Sequence, residues 1–250
     1  MDFIKNKLNI TQENVVNTIT ETGKTMKDLH YSGPYKVQSL YEMDAHSKKA
    51  AHFSSAAYKS GKLKVKGYVK DTNLSTEQFQ AWTKPGSNKI WLSSRGTKVT
   101  SVADLLSDGE IAMNKVPKRS KELTIWAKKV INKYGSDKHY KMSGHSLSGR
   151  AVIDASYDLR RIFKNTKIEA FAFNPGYGPA PSADARKRDS ERLNDRGTHV
   201  NITEGDAVSV SALSMMDKGN DRLTVLSKAI GKSNLAAHSM SNFVENVDLA

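Results

Sequence analysis

The chain contains no cysteine, so disulfide bonds cannot stabilise it and cysteine-based metal sites are excluded. No apolar run approaches the roughly 20 residues that a membrane-spanning helix needs. Residues 1–7 also lack the apolar core of a secretory signal peptide. These absences predict a soluble protein of a reducing compartment, and both a cytoplasmic and a virion-associated location fit that expectation.

Acidic residues are scarce relative to basic ones. The 26 Asp and Glu residues face 39 Lys and Arg residues, which gives a formal net charge of +13. Such an excess favours an anionic partner, such as nucleic acid, an anionic membrane surface or an acidic protein assembly. The lysines are scattered and no nucleic-acid-binding motif is present, so sequence-specific nucleic-acid binding is not expected. Peripheral contact with an anionic membrane and an ordinary solvated basic face are the remaining alternatives, and the oligomeric state is not indicated.

Composition and length are those of one α/β domain. The 250 residues include 38% hydrophobic residues, which suffice for a core. Residues 1–35 are polar and predict an N-terminal extension that contains a helix and ends near Gly33 and Pro34. Residues 36–250 are predicted to form the α/β domain.

Hydrophobic periodicity predicts that strands and helices alternate along this domain. Helices are predicted over 46–59, 118–134 and 147–163, and strands over 63–70, 79–83, 89–94, 168–173 and 199–202. The third helix should bury a stripe that ends at Ile162, and the charged segment 183–196 should be a solvated helix or loop. Such alternation is typical of a mostly parallel central sheet with helices on both faces.

The most informative segment is residues 141–150, which read KMSGHSLSGR. A strand ends, a serine flanked by small residues follows and a helix begins, as in the nucleophile elbow of α/β-hydrolases. That geometry exposes the hydroxyl of Ser146 above the sheet and places the N–H of Leu147 at a helix N-terminus, where it can stabilise an oxyanion. Ser148 stands at the second glycine position of the G-x-S-x-G pattern, and a glycine follows only at Gly149.

Two partners for Ser146 follow in the chain order of an α/β-hydrolase triad, which is serine, acid and histidine. Asp206 comes just after a predicted strand and a glycine, and His238 lies near the C-terminus. Serine is a weak nucleophile near neutral pH, so a histidine must take its proton and a buried carboxylate must hold the imidazole in one tautomer. The predicted triad is therefore Ser146, Asp206 and His238.

Other residues compete for these roles. Asp206 is the candidate that follows both a predicted strand and a glycine. The competing acidic residues after the elbow are Asp184, Asp189, Asp195 and Glu204. His199 precedes the acid and is in the wrong order. His145 is predicted to be structural, because successive residues at such a turn point in different directions.

Several segments make the chain resemble the class 3 lipases, the fungal-type and plant lipase and phospholipase A1 group of α/β-hydrolases. GHSLSG at 144–149 differs by one residue from that family's GHSLGG. The other similar segments are IWLSSRGT at 90–97, SVADLLSD at 101–108, FAFNPG at 171–176 and AHFSSAAY at 51–58. They are similar, in that order, to the family's oxyanion segment, its Asp-rich stretch, the strand and turn after the elbow helix, and an early Ala/Tyr-rich helix. The resemblance spans about residues 45–245.

The resemblance implies an α/β-hydrolase fold and a serine hydrolase that cleaves carboxylic esters of lipids, as a triacylglycerol lipase or a phospholipase A1 does. It further implies that Thr97 supplies the second oxyanion N–H beside that of Leu147, and that residues 101–113 form a lid. A buried core helix is the alternative for residues 101–113. No cofactor or metal is expected. Leu213, Met215 and Met216 either line the acyl pocket or fill the core. Because of Ser148, the alternative is a catalytically inactive basic module that docks on a membrane or an acidic assembly. A thioesterase or peptidase that uses the same residues is a third option.

Overall fold

The computed structural model describes residues 37–59, 64–96, 116–178, 181–206, 208–217, 219–227 and 237–244. The predicted N-terminal extension at 1–35, the oxyanion candidate Thr97 and the predicted lid at 101–113 lie outside these residues.

Eight strands and five α-helices make up the described part of the chain. The strands are β1 (Val37–Gln38), β2 (Val69–Lys70), β3 (Phe79–Thr83), β4 (Lys89–Ser94), β5 (His139–His145), β6 (Lys167–Phe173), β7 (Thr198–Thr203) and β8 (Leu223–Leu226). The helices are α1 (Ala45–Tyr58), α2 (Lys118–Tyr134), α3 (Leu147–Ile162), α4 (Ala183–Leu193) and α5 (Val210–Met215), with 3₁₀ turns at Leu40–Glu42 and Met240–Phe243. None of these helices has the length and apolar character needed to cross a membrane.

The strands form one sheet in the order β1-β8-β7-β6-β5-β4-β3-β2. In this order, all neighbouring strands from β1 at one edge as far as β4 are parallel. Strands β3 and β2 complete the sheet as an antiparallel edge. The helices cover both faces, because the larger core cluster contains residues of α2 and α3 whereas the smaller one contains residues of α1. The structure therefore confirms the predicted α/β class with a mostly parallel sheet.

The helix ends follow from local chemistry. The Asp44 carboxylate accepts hydrogen bonds from the backbone N–H groups of His46 and Ser47, at 2.8 and 3.0 Å, and so starts α1. Helix α2 buries Leu123 and Trp126 on its sheet-facing side. It stops at Gly135, whose φ of 96° a residue with a side chain would resist.

Three expectations about these elements are wrong in part. The predicted strand at 63–70 is reduced to β2, because the chain turns at Gly67, where φ is 76°. Ile162 is 50% exposed at the end of α3 and does not continue its buried stripe. The charged segment at 183–196 forms α4, and its Asp189 is fully buried rather than solvated.

Candidate active site

Ser146 connects β5 to α3 in a strained backbone conformation. Its φ of 61° and ψ of −129° lie outside the regions that residues with a side chain prefer, and its side chain is nearly inaccessible. The surrounding backbone holds this conformation. The Ser146 N–H donates to the Phe173 carbonyl at 3.0 Å, and the Ser146 carbonyl accepts from Gly176 N–H at 3.1 Å. The predicted nucleophile therefore stands on a sharp strand-to-helix turn.

Two glycines let the strand, the elbow helix and the next strand's end approach each other this closely. A Cβ on Gly144 would clash with the Ser148 carbonyl. A Cβ on Gly149 would lie 3.1 Å from both the Phe173 carbonyl oxygen and Pro175 Cα. Gly149 stands one position later than the second glycine of the G-x-S-x-G pattern. It is thus the residue that packs against the end of β6.

The structure brings the three triad candidates together. Ser146 Oγ lies 2.9 Å from His238 Nε2, and His238 Nδ1 lies 3.0 Å from Asp206 Oδ1. The exposed fractions are 1% for Ser146, 5% for His238 and 0% for Asp206. With a neutral ring, Nδ1–H donates to the carboxylate and Nε2 accepts from the serine hydroxyl. This tautomer leaves a lone pair ready to take the serine proton.

Asp206 is oriented by groups that follow it in the chain. Its Oδ1 also accepts from the Val208 N–H at 3.1 Å, and its Oδ2 accepts from the Ser209 hydroxyl at 2.6 Å. The preceding Gly205 has a φ of 78°, so the turn after β7 needs a glycine there. These contacts satisfy both carboxylate oxygens while leaving one of them against the imidazole.

The backbone around His238 is held by three side chains from other elements. The Ala237 carbonyl accepts from Asn174 Nδ2 and from Asn242 Nδ2, both at 2.9 Å. The carbonyl of His238 accepts from His145 Nε2 at 2.6 Å. Asn174 is fully buried and has a φ of 42°, which asparagine tolerates better than most residues. Asn174 lies in the FNPG turn, but no role for its side chain was predicted from the sequence.

The candidate oxyanion donors are described only in part. Leu147 is the first residue of α3, so its N–H has no acceptor within the helix and lies beside the candidate nucleophile. Thr97 lies outside the described residues, which end at Gly96 on this side. Its assignment to the oxyanion hole stays a prediction.

The competing residues take other roles. Asp189 pairs with Arg150 at 3.1 Å, and Asp195 pairs with Arg160 at 2.7 Å. His199 stacks on Phe171 with ring centroids 4.6 Å apart.

The three apolar residues that follow the acid all belong to the larger core cluster, which favours a packing role; they are Leu213, Met215 and Met216.

The fold of this chain is similar to those of several solved lipase structures. No protein-family model matches the sequence, and no curated protein sequence matches it. A triacylglycerol lipase from Penicillium expansum is similar at 17% identity over 66% of this chain and 70% of that chain, with a TM-score of 0.43. Lip2 lipase from Yarrowia lipolytica is similar at 14% identity over 76% and 81%, with a TM-score of 0.46. Rhizomucor miehei lipase is similar at 14% identity over 65% and 61%, with a TM-score of 0.40. The likeness to these three lipases concerns the fold alone.

Proposed function

We propose that this protein is a serine hydrolase that cleaves carboxylic esters. The observation that carries the proposal is the continuous contact from Ser146 Oγ through His238, at 2.9 Å, to Asp206, at 3.0 Å. Hydroxyl, imidazole and carboxylate in this order form the arrangement that activates a serine for acyl transfer. The strained backbone of Ser146 adds support, because such strain concentrates at functional sites.

In the proposed reaction, Ser146 Oγ attacks the ester carbonyl carbon while His238 Nε2 takes the hydroxyl proton. The carbonyl oxygen becomes an oxyanion, which the N–H groups of Leu147 and, by resemblance, Thr97 stabilise. The intermediate collapses, and the alcohol leaves with the proton from His238, so an acyl-serine remains. Water then gives its proton to His238 and attacks the acyl carbon, which releases the carboxylic acid and restores Ser146. Asp206 stabilises the imidazolium in both steps.

The proposed substrates are lipid esters. This choice rests on the resemblance of the elbow and the oxyanion segment to those of class 3 lipases. The net charge of +13 favours an anionic interface, and hence phospholipid. Parallel assays of fatty-acid release from a triacylglycerol emulsion and from phosphatidylglycerol vesicles separate the two classes. Preference for the emulsion would assign a triacylglycerol lipase, and release from the sn-1 position of the vesicles would assign a phospholipase A1.

The decisive experiment is labelling with a fluorophosphonate, which reacts covalently with an activated serine. Ser146 should be labelled in the native chain, and p-nitrophenyl ester hydrolysis should fall by at least about a thousandfold in Ser146→Ala. The matched control is Ser143→Ala, which changes a buried serine of β5, the strand that leads to Ser146, and should leave labelling intact. A folded native chain that stays unlabelled would contradict the proposal and support the inactive basic module.

A further inference from the structure

His145, the residue before the candidate nucleophile, contacts the candidate base His238. Its ring lies beside that of His238, with centroids 4.9 Å apart, and its Nε2 contacts the His238 carbonyl oxygen at 2.6 Å. On the other side of the ring, Nδ1 lies 2.9 Å from the Tyr58 hydroxyl. The side chain of His145 therefore links the end of α1 to the backbone of the candidate base.

These two contacts fix the tautomer of His145. A carbonyl oxygen only accepts hydrogen bonds, so Nε2 carries the proton. In the neutral ring Nδ1 is then an acceptor, and the Tyr58 hydroxyl donates to it. Burial, and next the neighbouring His238, lower the pKa of His145 to about 3, so the ring stays neutral near pH 7. With the other tautomer, two lone pairs would face each other between Nε2 and the carbonyl oxygen.

Tyr58 makes a second connection. Its hydroxyl, which donates to His145, also lies against the backbone of Gly96. A Cβ on Gly96 would clash with this hydroxyl, so the glycine permits the contact. Gly96 follows β4 and comes directly before the predicted oxyanion residue. One tyrosine thus contacts both the segment that leads to the oxyanion donor and the ring that holds His238.

We infer that Tyr58 and His145 are positioning residues that hold the backbone of His238 at the distance from Ser146 that proton transfer needs. The inference rests on the proposed function and extends it to two side chains that touch neither the ester nor the reacting atoms. The His238 carbonyl sets the tautomer of His145, the Tyr58 hydroxyl donates to its Nδ1 and so holds the ring, and His145 in turn holds the His238 carbonyl. The link matters because a displacement of about 1 Å in a reacting group can reduce turnover about a hundredfold.

Kinetics of four variants distinguish this role from general packing. His145→Leu removes the donor and should lower kcat about a hundredfold with KM changed less than about twofold, since no ester contact is lost. His145→Gln keeps an N–H donor at the position of Nε2 and should recover most of that loss. Tyr58→Phe should lower kcat about tenfold. Tyr140→Phe is the matched control, because the Tyr140 hydroxyl donates to the Gly135 carbonyl at the other end of β5, and kcat should not change.

A spectroscopic measurement tests the inference independently of activity. ¹⁵N-histidine NMR of the full-length Ser146→Ala protein, which cannot turn over, should show His145 as the Nε2–H tautomer at pH 7. The same spectrum in Tyr58→Phe should keep this tautomer but shift the Nδ1 resonance, because the hydroxyl that donates to Nδ1 is lost, whereas Tyr140→Phe should leave both ring resonances unchanged.

The outcomes separate the two proposals. An Nδ1–H tautomer for His145, or equal kcat values for His145→Leu and His145→Gln, would overturn the positioning role even if the protein is an active esterase. A folded native protein without esterase activity or fluorophosphonate labelling would instead reject the proposed function, whatever tautomer the spectrum shows. Recovery by His145→Gln together with the expected tautomers supports both.

Discussion

The hydroxyl of Ser148 donates a hydrogen bond to the Arg95 carbonyl at 2.7 Å. Its Oγ also lies 2.8 Å from the Ser94 hydroxyl, and the Arg119 guanidinium donates to the same carbonyl. Ser148 is the one position at which the elbow departs from GHSLGG. A glycine has no side chain to make this bond, so the departure adds a connection between α3 and the end of β4. The structure therefore gives no reason to treat Ser148 as damage to the elbow.

The variant Ser148→Gly tests that conclusion by restoring the family's motif. Loss of the hydrogen bonds to the Arg95 carbonyl and the Ser94 hydroxyl should lower the free energy of unfolding by about 1–2 kcal/mol, measured by urea denaturation. Ester hydrolysis should not rise, because the elbow already has its small residue at Gly149. The inactive-module alternative, in which Ser148 blocks catalysis, requires the opposite result, namely a large gain of activity in Ser148→Gly.

Strong local periodicity made much of the fold predictable. The predicted spans of β3, β4 and α2 match the structure, because each combines a clear apolar pattern with a turn or glycine at its end. The prediction of a strand at 63–70 was wrong in part, because the alternating pattern includes Gly67, where the backbone has a positive φ. Apolar alternation alone does not reveal such a turn.

The triad candidates were found because α/β-hydrolases keep a fixed chain order, so Asp206 and His238 could be selected by position after a strand or in the final loop. The contacts of Tyr58 with His145 and of Asn174 with the Ala237 carbonyl were not predicted. Tyr58 is 87 residues from His145, and Asn174 is 63 residues from Ala237. Contacts at such separations depend on how the sheet assembles, which no local pattern encodes.

The backbone of Ser146 should be a measurable cost to stability. Replacing Ser146 by glycine removes the Cβ that disfavours a φ of 61°, whereas Ser146→Ala keeps it. Both variants should be inactive. In urea denaturation, the free energy of unfolding of Ser146→Gly should exceed that of Ser146→Ala by about 1 kcal/mol. Equal stabilities of the two variants would show that the elbow carries no strain of this kind.

Asp206 and Ser209 should differ in their effect on catalysis. Asp206→Asn presents an N–H or a weak acceptor to His238 and disturbs its tautomer, so kcat should fall by about ten-thousandfold. Ser209→Ala removes only the hydroxyl that orients Oδ2 and should lower kcat about tenfold, with an unchanged KM. The comparison uses p-nitrophenyl ester hydrolysis, and a Ser209→Ala loss as large as that of Asp206→Asn would contradict the assigned roles.

Asp71 should make the stability depend on acid pH. Burial alone would raise its pKa, but hydrogen bonds from Lys133 and Tyr134, at 2.6 and 2.5 Å, and from the backbone of Leu74 lower it to about 2. A carboxyl group whose pKa is lower in the folded state stabilises the protein above its unfolded pKa of about 3.9, and this stabilisation is lost as the pH falls toward 2.

The variant Asp71→Asn should therefore cost about 1–2 kcal/mol in urea unfolding at pH 7, and the cost should shrink between pH 4 and pH 2.5. Asp137→Asn is the control, because Asp137 pairs with its neighbour Lys138 at 2.7 Å in a solvent-exposed pair and its own side chain is 72% exposed. It should change the stability much less at every pH. A cost of Asp71→Asn that is independent of pH would show that its charge is not the source of the stabilisation.

The basic excess predicts binding to anionic membranes that depends on salt and on which end of the sheet faces the lipid. Electrostatic attraction reaches only about 8 Å at physiological ionic strength, so a chain with a net charge of +13 should bind phosphatidylglycerol vesicles at low salt and dissociate at high salt.

Lys59 follows α1 at the end of the sheet where Ser146 lies, whereas Lys167 begins β6 at the opposite end. If the active-site end meets the membrane, Lys59→Glu should weaken vesicle binding several-fold, and Lys167→Glu, with the same change in charge, should weaken it much less. Vesicle cosedimentation with neutral phosphatidylcholine as the control measures both effects. Equal losses for the two variants would show that the charge acts without orienting the protein, and binding that salt does not change would leave the basic excess without a role at a membrane.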